Sequence, residues 1–170
     1  MAVIVRPAHA ADAGFLVEML AEAAAWRPDS PRLSARQVLD DPSLAKYIAG
    51  WPRVGDHGVV AEKVPTGRSG DDRTPRRLGA AWWRFFDPAA AGYGFVDATI
   101  PEVSIAVHPT ERGRGVGGRL LAALLADATA RAVRVSLSVE IENPAVRLYR
   151  RHGFEVVGEA DGAFTMLREP

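Results

Sequence analysis

Apolar residues in the first half of the chain recur with the spacing of one long helix and several strands. Over residues 13–26 they fall every three or four positions, which predicts an amphipathic helix. Short apolar runs bounded by Pro, Gly and Asp predict strands at residues 3–6, 57–63 and 78–86. Two shorter helical segments are predicted at residues 34–39, with Ser34 as the cap, and at residues 41–50.

The second half alternates strand and helix patterns more regularly. Val103, Ile105 and Val107 alternate with polar or small residues, as in a strand with one buried face. A stripe from Leu120 to Leu125 predicts a helix that ends near residue 131. The order of elements predicts a mixed α/β fold in which helices cover one sheet. The elements predicted in this half are strands at 102–107 and 133–140, one helix that ends near residue 131, a second helix over 143–152, and a terminal hairpin of 154–158 and 164–168.

Two connections and one pair of tryptophans add detail to this picture. Residues 64–77 are rich in Pro, Gly, Ser, Thr, Asp and Arg, which is typical of a solvated, mobile loop. Residues 92–94 (Gly-Tyr-Gly) are expected to form a second mobile loop. Trp82 and Trp83 are adjacent in a predicted strand, so their side chains should lie on opposite faces of the sheet.

Composition narrows the class of protein. The 170 residues suit a single domain, 1–170, that buries a core, since 48% are hydrophobic and 25% are charged. Lys+Arg and Asp+Glu are both 21, so the chain lacks the basic excess of a general nucleic-acid binder. It has no cysteine, and its four histidines show no metal-ligand spacing, so we expect no metal site. No apolar run approaches the length of a membrane span or a signal peptide, so we expect a cytoplasmic protein.

A glycine-rich turn at residues 111–119 (Glu-Arg-Gly-Arg-Gly-Val-Gly-Gly-Arg) carries the densest chemical signal. It lies between a predicted strand and an amphipathic helix. Glycines allow the main chain to approach a ligand closely, and the first turn of a helix offers N–H groups with no partner. Together these features favour an anion site suited to phosphate, to which Arg112 and Arg114 could add charge.

The glycine-rich turn has three alternative interpretations. A Walker A loop requires Lys and Ser or Thr after the last glycine, where this chain has Arg119 and Leu120. The spacing of residues 113–118 matches a dinucleotide fingerprint, and Glu140 stands near the expected acidic position. Against it, five residues (108–112) separate the strand from the first glycine, and too little chain follows residue 140 for a second nucleotide-binding half. A glycine-rich loop with no ligand is the third alternative.

At this point the sequence resembles the GNAT N-acetyltransferase superfamily. The motif Arg112-x-x-Gly115-x-Gly117 is similar to the family's Arg/Gln-x-x-Gly-x-Gly/Ala loop, which holds the pyrophosphate of acetyl-CoA. Residues 104–109 (Ser-Ile-Ala-Val-His-Pro) resemble the strand that leads into that loop. Residues 143–154, with Asn-Pro at the start and Gly-Phe at the end, resemble the family's second conserved block. The resemblance is specific over residues 101–158.

The resemblance implies the GNAT fold, a central mixed and mostly antiparallel sheet with helices on both faces, and acetyl-CoA as co-substrate. The parallel strands at 102–107 and 133–140 would separate and leave a slot for the thioester. The main chain of 105–107 would pair with the pantetheine arm, and the glycine-rich turn would surround the pyrophosphate. The implied cofactor-binding residues are Ile105, Ala106, Val107, Arg112, Gly113, Arg114, Gly115, Val116, Gly117, Gly118 and Asn143.

Acetyl transfer to an amine needs a base for the amine proton and an acid for the departing thiolate. Tyr149 occupies the tyrosine of the second block and is expected to be the acid, since phenols and thiols have similar pKa values. Glu102, at the start of the central strand, is the candidate base. Glu140 on the neighbouring strand and solvent are the alternatives. An N–H group near Ala106 or Val107 is expected to bind the carbonyl oxygen.

The resulting hypothesis is an N-acetyltransferase that transfers the acetyl group of acetyl-CoA to a primary amine by direct attack in a ternary complex. The acceptor would be a small molecule or a peptide, and Trp26, Trp51 and Tyr93 lie in segments that would flank it. A homodimer is expected by analogy with the family, and neither nucleic acid nor membrane is expected as a partner. The alternative is a non-catalytic acyl-CoA-binding sensor or interaction domain of the same fold.

Overall fold

The computed structural model describes residues 2–65 and 74–170. They contain one seven-stranded sheet in the order β1-β2-β3-β4-β5-β7-β6. The strands are β1 Ala2–Pro7, β2 His57–Val64, β3 Arg76–Arg84, β4 Glu102–Val107, β5 Val135–Glu140, β6 Glu155–Ala160 and β7 Ala163–Arg168. The helices are α1 Ala13–Ala24, α2 Ala35–Asp40, α3 Pro42–Ala45, α4 Val116–Ala130 and α5 Ala145–Arg151.

Neighbouring strands are antiparallel throughout the sheet except for β4 and β5, which run parallel. Alternate residues of the central strands face two separate cores. On one face Val59 and Ala81 pack with the leucines of α4, and on the other Val60 and Ala80 pack with α1. The predicted mixed, mostly antiparallel sheet with helices on both faces is therefore confirmed. Within the described ranges, no helix combines the length and apolar character that crossing a membrane requires.

Most predicted elements are present, with shifted ends. The first helix stops at Ala24, two residues early, and the third helical segment is helical only over Pro42–Ala45. The fifth strand begins at Val135, because residues 131–134 form the turn that leaves α4. Of the predicted loop 64–77, residues 66–73 lie outside the described residues, while its first and last positions belong to β2 and β3.

Trp82 and Trp83 lie on opposite faces of β3, as predicted. Trp82 is buried in the core beneath α1, and Trp83 is buried in the core beneath α4. Each indole N–H donates to a main-chain carbonyl, Trp82 to Tyr47 O at 3.0 Å and Trp83 to Gly55 O at 3.1 Å. These two hydrogen bonds therefore attach the segment between α3 and β2 to the middle of the sheet.

A buried ion pair completes that attachment at the end of β3. The guanidinium of Arg84 donates to both carboxylate oxygens of Asp56, at 3.0 and 2.6 Å, and both side chains are almost fully buried. Its remaining nitrogen donates to the carbonyls of Lys46 and Ala49, each at 2.9 Å. Because the charge is matched and each guanidinium nitrogen donates a hydrogen bond, the pair is tolerated in the interior.

We expect Asp56→Ala to lower the free energy of unfolding by about 3–5 kcal/mol, because it leaves the Arg84 guanidinium buried without its counter-charge. Urea unfolding measures the loss. The matched control is Asp40→Ala, which removes the exposed Arg36–Asp40 pair on α2 and should leave the midpoint almost unchanged. Equal effects of the two substitutions would contradict the stabilising role of the Arg84–Asp56 ion pair.

Candidate active site

A gap between β4 and β5 forms the central feature of the site. The two strands pair only where Glu102 faces Ser136, whereas every other pair of neighbouring strands is in register over at least five positions. A cavity of about 1130 Å³ lies between them. Its walls come from both strands, the end of α1, the glycine-rich turn and the start of α5. The separation of these strands leaves main-chain groups free to bind a ligand.

The ladder between β3 and β4 determines which main-chain groups face the gap. His108 N donates to Leu78 O at 2.8 Å. Because hydrogen bonding alternates along an antiparallel pair, Ala106 also turns its N–H toward β3, while Ile105 and Val107 turn theirs toward β5. Consistently, Val107 O accepts a hydrogen bond from Arg112 Nε at 3.1 Å. Of the two residues expected to bind a carbonyl oxygen, Val107 therefore presents its N–H to the cavity and Ala106 does not.

The glycine-rich turn opens onto the same cavity. Gly113 and Gly115 have φ values of +74° and +80°, which glycine adopts without strain, and a Cβ at either position would meet nothing within 4 Å. The first hydrogen bond of α4 runs from Arg119 N to Gly115 O at 3.2 Å. The N–H groups of residues 116–118 therefore have no partner in the helix and give this end a partial positive charge.

Nine of the eleven predicted cofactor-binding residues line the cavity, and Arg114 and Val116 do not. Arg114 is exposed and lies 3.9 Å from the Glu111 carboxylate, while the Val116 side chain is buried in the core beneath α4. Arg112 lines the cavity but donates to Glu22 of α1 at 2.9 Å, so its guanidinium is already paired. Asn143 also lines it, and its Oδ1 accepts from Ala145 N at 2.9 Å.

Glu102 lies at the end of the gap where the strands pair, and only 3% of it is exposed. Its Oε1 accepts hydrogen bonds from the Tyr47 hydroxyl at 2.8 Å and from Gly94 N at 2.9 Å. Its Oε2 is buried without a hydrogen-bond partner among the described residues. Burial raises the pKa of Glu102 from its ordinary 4.5 to about 7, against the opposing effects of Tyr47, Gly94 and Lys46. This carboxyl can therefore exchange a proton near neutral pH.

Residues 92–94 cover Glu102 closely, in contrast to the mobile loop that we expected. A Cβ on Gly92 would lie 2.0 Å from Glu102 Oε2, and one on Gly94 would lie 2.4 Å from the main chain of Leu137. Tyr93 N donates to the Tyr47 hydroxyl at 2.7 Å. The two glycines are needed because main chain passes directly over the carboxylate and β5. The Tyr93 ring is 63% exposed at the mouth of the cavity.

Tyr149, the candidate acid, reaches the cavity from α5. Its ring packs edge-on against Phe154 with centroids 5.9 Å apart, and its burial raises the pKa of the phenol well above the ordinary value. The phenol therefore stays protonated at neutral pH. A thiolate in the same surroundings would also become more basic, because burial disfavours its charge too.

Glu140, the alternative base, is already engaged. Trp26 Nε1 donates to its Oε1 at 3.0 Å, and Arg27 forms an ion pair with its Oε2. These hydrogen bonds, first from Trp26 and then from Arg27, lower the pKa of Glu140. It is half-exposed and firmly ionised, so it is a poorer proton acceptor than Glu102.

Among the aromatic residues expected beside an acceptor, Trp26 and Tyr93 line the cavity and Trp51 does not. Trp51 is buried, and its indole N–H donates to His9 O at 3.2 Å. Sequence reasoning missed Tyr47, which touches the candidate base from a segment 55 residues earlier. No local pattern could have revealed that contact, because it depends on how the segment is attached to β3.

Comparison with known proteins agrees with this geometry. The family described as "Acetyltransferase (GNAT) domain" matches residues 76–156, and no curated protein matches the chain significantly. The resemblance to the GNAT acetyltransferases noted from the motifs is therefore confirmed for residues 76–156.

Solved structures with this fold cover nearly the whole chain. The protein yncA of Salmonella typhimurium, with its cofactor acetyl-CoA, has a TM-score of 0.66 and 22% identity over 99% of this chain and 94% of its own. Ribosomal-protein-alanine N-acetyltransferase of Brucella melitensis has a TM-score of 0.65 and 24% identity, covering 98% and 99%. The PaiA N-acetyltransferase of Thermoplasma acidophilum, in complex with coenzyme A, has a TM-score of 0.64 and 15% identity, covering both chains fully at 100%.

The raised pKa of Glu102 predicts a pH-dependent loss of stability. Between pH 4.5 and 7 the folded state binds this proton more tightly than the unfolded state, so the free energy of unfolding should fall as the pH rises. The loss should reach about 3 kcal/mol by pH 8. Glu102→Gln keeps an oxygen that can accept the hydrogen bonds of Tyr47 and Gly94. It should remove this pH dependence, as measured by urea unfolding from pH 5 to 8.

The matched control is Glu140→Gln. Because the pKa of Glu140 is lowered in the folded protein, its ionised form contributes stability above its unfolded pKa, and its loss should not stabilise the protein at pH 8. If the free energy of unfolding depended on pH in the same way in the parent protein and in Glu102→Gln, the raised pKa of Glu102 would be contradicted.

Proposed function

We propose that this protein is an acetyl-CoA-dependent N-acetyltransferase that transfers the acetyl group of acetyl-CoA directly to a primary amine in a ternary complex. The observation that carries the proposal is that Glu102, whose Oε2 is buried and unpartnered among the described residues, lines the same cavity as the free N–H groups of α4. A domain that only bound acyl-CoA would need the second feature but not the first. Burying a carboxylate without satisfying it costs stability, which is typical of a group kept for chemistry.

The residues around the cavity fit coenzyme A. The start of α4 offers several converging N–H groups, and at Gly113 and Gly115 no side chain obstructs a diphosphate. The gap-facing main chain of Ile105 and Val107 suits an extended arm with amide groups of its own. The neighbours from Salmonella typhimurium and Thermoplasma acidophilum, which hold acetyl-CoA and coenzyme A in the same fold, support this assignment.

Glu102 is the proposed base. A protonated amine is not nucleophilic, so the acceptor nitrogen must lose a proton before it attacks. Bound acetyl-CoA supplies the activated acetyl group and a thiolate leaving group. Glu102 Oε2 takes the proton from the amine nitrogen through a water molecule, because residues 92–94 cover the carboxylate. A pKa near 7 allows Glu102 to accept this proton and release it afterwards.

Two further groups of the chain complete the proposed reaction. The N–H of Val107 donates to the carbonyl oxygen as the C–N bond forms and charge develops on that oxygen. The Tyr149 hydroxyl then gives its proton to the sulfur as the C–S bond breaks, and the phenolate regains a proton through water from the newly acylated nitrogen, which must lose its second proton to become an amide. The acceptor is a small molecule or a peptide that carries a primary amine. The half-exposed, paired state of Glu140 argues against it as the base.

Gly115 tests the cofactor cradle. Gly115→Ala should raise the dissociation constant of coenzyme A about tenfold or more, because a methyl group and a shifted turn displace the N–H groups from the diphosphate. Titration calorimetry measures the change. Gly162→Ala is the matched control, since Gly162 also has a positive φ, of +76°, with nothing near its Cβ, but lies outside the cavity.

Both substitutions should destabilise the fold by a similar amount of about 1–2 kcal/mol, because both place Cβ in the left-handed region. Only Gly115→Ala should weaken coenzyme A binding. Unchanged affinity in Gly115→Ala, or the absence of binding heat in the parent protein, would overturn the assignment of the cradle.

Tyr149 tests the chemistry. Tyr149→Phe should lower thiol release from acetyl-CoA, measured with a panel of primary amines, by about 10²–10⁴-fold, the range of a lost general acid. Coenzyme A affinity and thermal stability should persist, because the ring still packs against Phe154. Full activity of the variant would exclude this acid. Coenzyme A binding without turnover on any amine would favour the sensor alternative.

A further inference from the structure

Tyr47 makes a directed contact with the proposed base. Its hydroxyl is buried and accepts the N–H of Tyr93 at 2.7 Å, while it donates to Glu102 Oε1 at 2.8 Å. Because the incoming N–H occupies one lone pair of the hydroxyl, the hydroxyl proton is directed at the carboxylate. Tyr47 therefore acts on Glu102 as a donor of fixed orientation.

The contact makes the two carboxylate oxygens of Glu102 unequal. Oε1 accepts both the Tyr47 hydroxyl and Gly94 N, so its lone pairs are occupied. Oε2 lies against Gly92 with no partner among the described residues. A proton taken up by this carboxylate therefore goes to Oε2, since at Oε1 it would meet two donors.

Strand β3 holds Tyr47 in this position. The Trp82 indole N–H donates to Tyr47 O, and the buried Arg84 guanidinium donates to the carbonyls of Lys46 and Ala49 on either side. The Tyr47 ring packs edge-on against Phe86 at 5.0 Å between centroids. Main chain and ring are both constrained, so the hydroxyl has little freedom to leave the carboxylate.

We propose that Tyr47 is a positioning residue of the acetyl transfer reaction, which orients Glu102 so that Oε2 is the atom that receives the amine proton. This inference rests on the proposed function and adds to it a residue that does not touch the reacting atoms. It also assigns a purpose to the attachment of residues 46–49 to β3, beyond the stability of the fold.

The charged and titratable groups around Glu102 determine the direction of the expected effect. Lys46 and Tyr93 lie on the covering segments, and Lys46 favours the ionised carboxylate. In the sheet, the register partners of Glu102 are Arg84, which is paired with Asp56, and Ser136. On α1 the cavity-lining carboxylate is Glu22, which is paired with Arg112. With these groups retained, loss of the Tyr47 donor removes stabilisation of the ionised form and raises the pKa of Glu102.

The test is Tyr47→Phe, which removes the hydroxyl and keeps the ring. Infrared spectroscopy of the protein without coenzyme A follows the protonated carboxyl band of Glu102, identified by its absence in Glu102→Gln. We expect the midpoint of that band to rise by about one pH unit. The acidic limb of kcat/KM, at saturating acetyl-CoA, should move upward by the same amount, with activity recovered at higher pH. In the control Tyr93→Phe the midpoint should stay in place, because the substitution keeps both the main-chain N–H that donates to Tyr47 and the ring that stacks on it.

The outcomes separate this inference from the proposed function. An unchanged infrared midpoint in Tyr47→Phe would overturn the positioning role, whatever the activity. An acidic limb that persists in Glu102→Gln would instead overturn Glu102 as the base. In the Glu102→Gln background, Tyr47→Phe should have no further effect on turnover. If Tyr47→Phe does not fold, Trp82→Phe frees the Tyr47 main chain, and its midpoint should rise by a smaller amount; no rise would contradict the role of Tyr47.

Discussion

The site depends on one constraint, the single point of pairing between β4 and β5. Parallel neighbours in a sheet normally share hydrogen bonds along their length, but here the shared contact is limited to Glu102 and Ser136. Val107 O accepts from Arg112, but the other gap-facing N–H and C=O groups of Ile105 and Val107 have no strand partner, and such groups are costly unless water or a ligand satisfies them. A binding slot is the direct consequence, and the turn that begins α4 lies at its open end.

Two buried acidic side chains, those of Asp56 and Glu102, differ in how their charge is compensated. Asp56 is neutralised by Arg84, whose three guanidinium nitrogens all donate, to its carboxylate and to two carbonyls. Among the described residues Glu102 pairs with no arginine; it receives one hydroxyl and one N–H on the same oxygen, and burial raises its pKa to about 7. The first arrangement stabilises the attachment of a loop. The second leaves a proton acceptor in a protected place.

A feature could be predicted from the sequence when the residues that produce it are neighbours in the chain. The helix α4 and the glycine-rich turn could be predicted because leucine spacing and the need for positive φ at Gly113 and Gly115 are properties of neighbouring residues. The pairing of Arg112 with Glu22, 90 positions earlier, could not, because no local pattern records it. Residues 92–94 were expected to be mobile for their glycines, yet these glycines allow close packing against Glu102 and β5.

The sequence by itself determined the order of strands and helices, the glycine-rich turn before α4 and the resemblance to the GNAT acetyltransferases. These depend on side-chain periodicity and on motifs of fixed spacing, which a chain carries whether folded or not. Only the tertiary structure decided that Val107 rather than Ala106 faces the gap, that Glu140 is held by Trp26, and that Tyr47 reaches Glu102. Such contacts join distant segments, so they come into existence only when strand register and loop attachment bring those segments together.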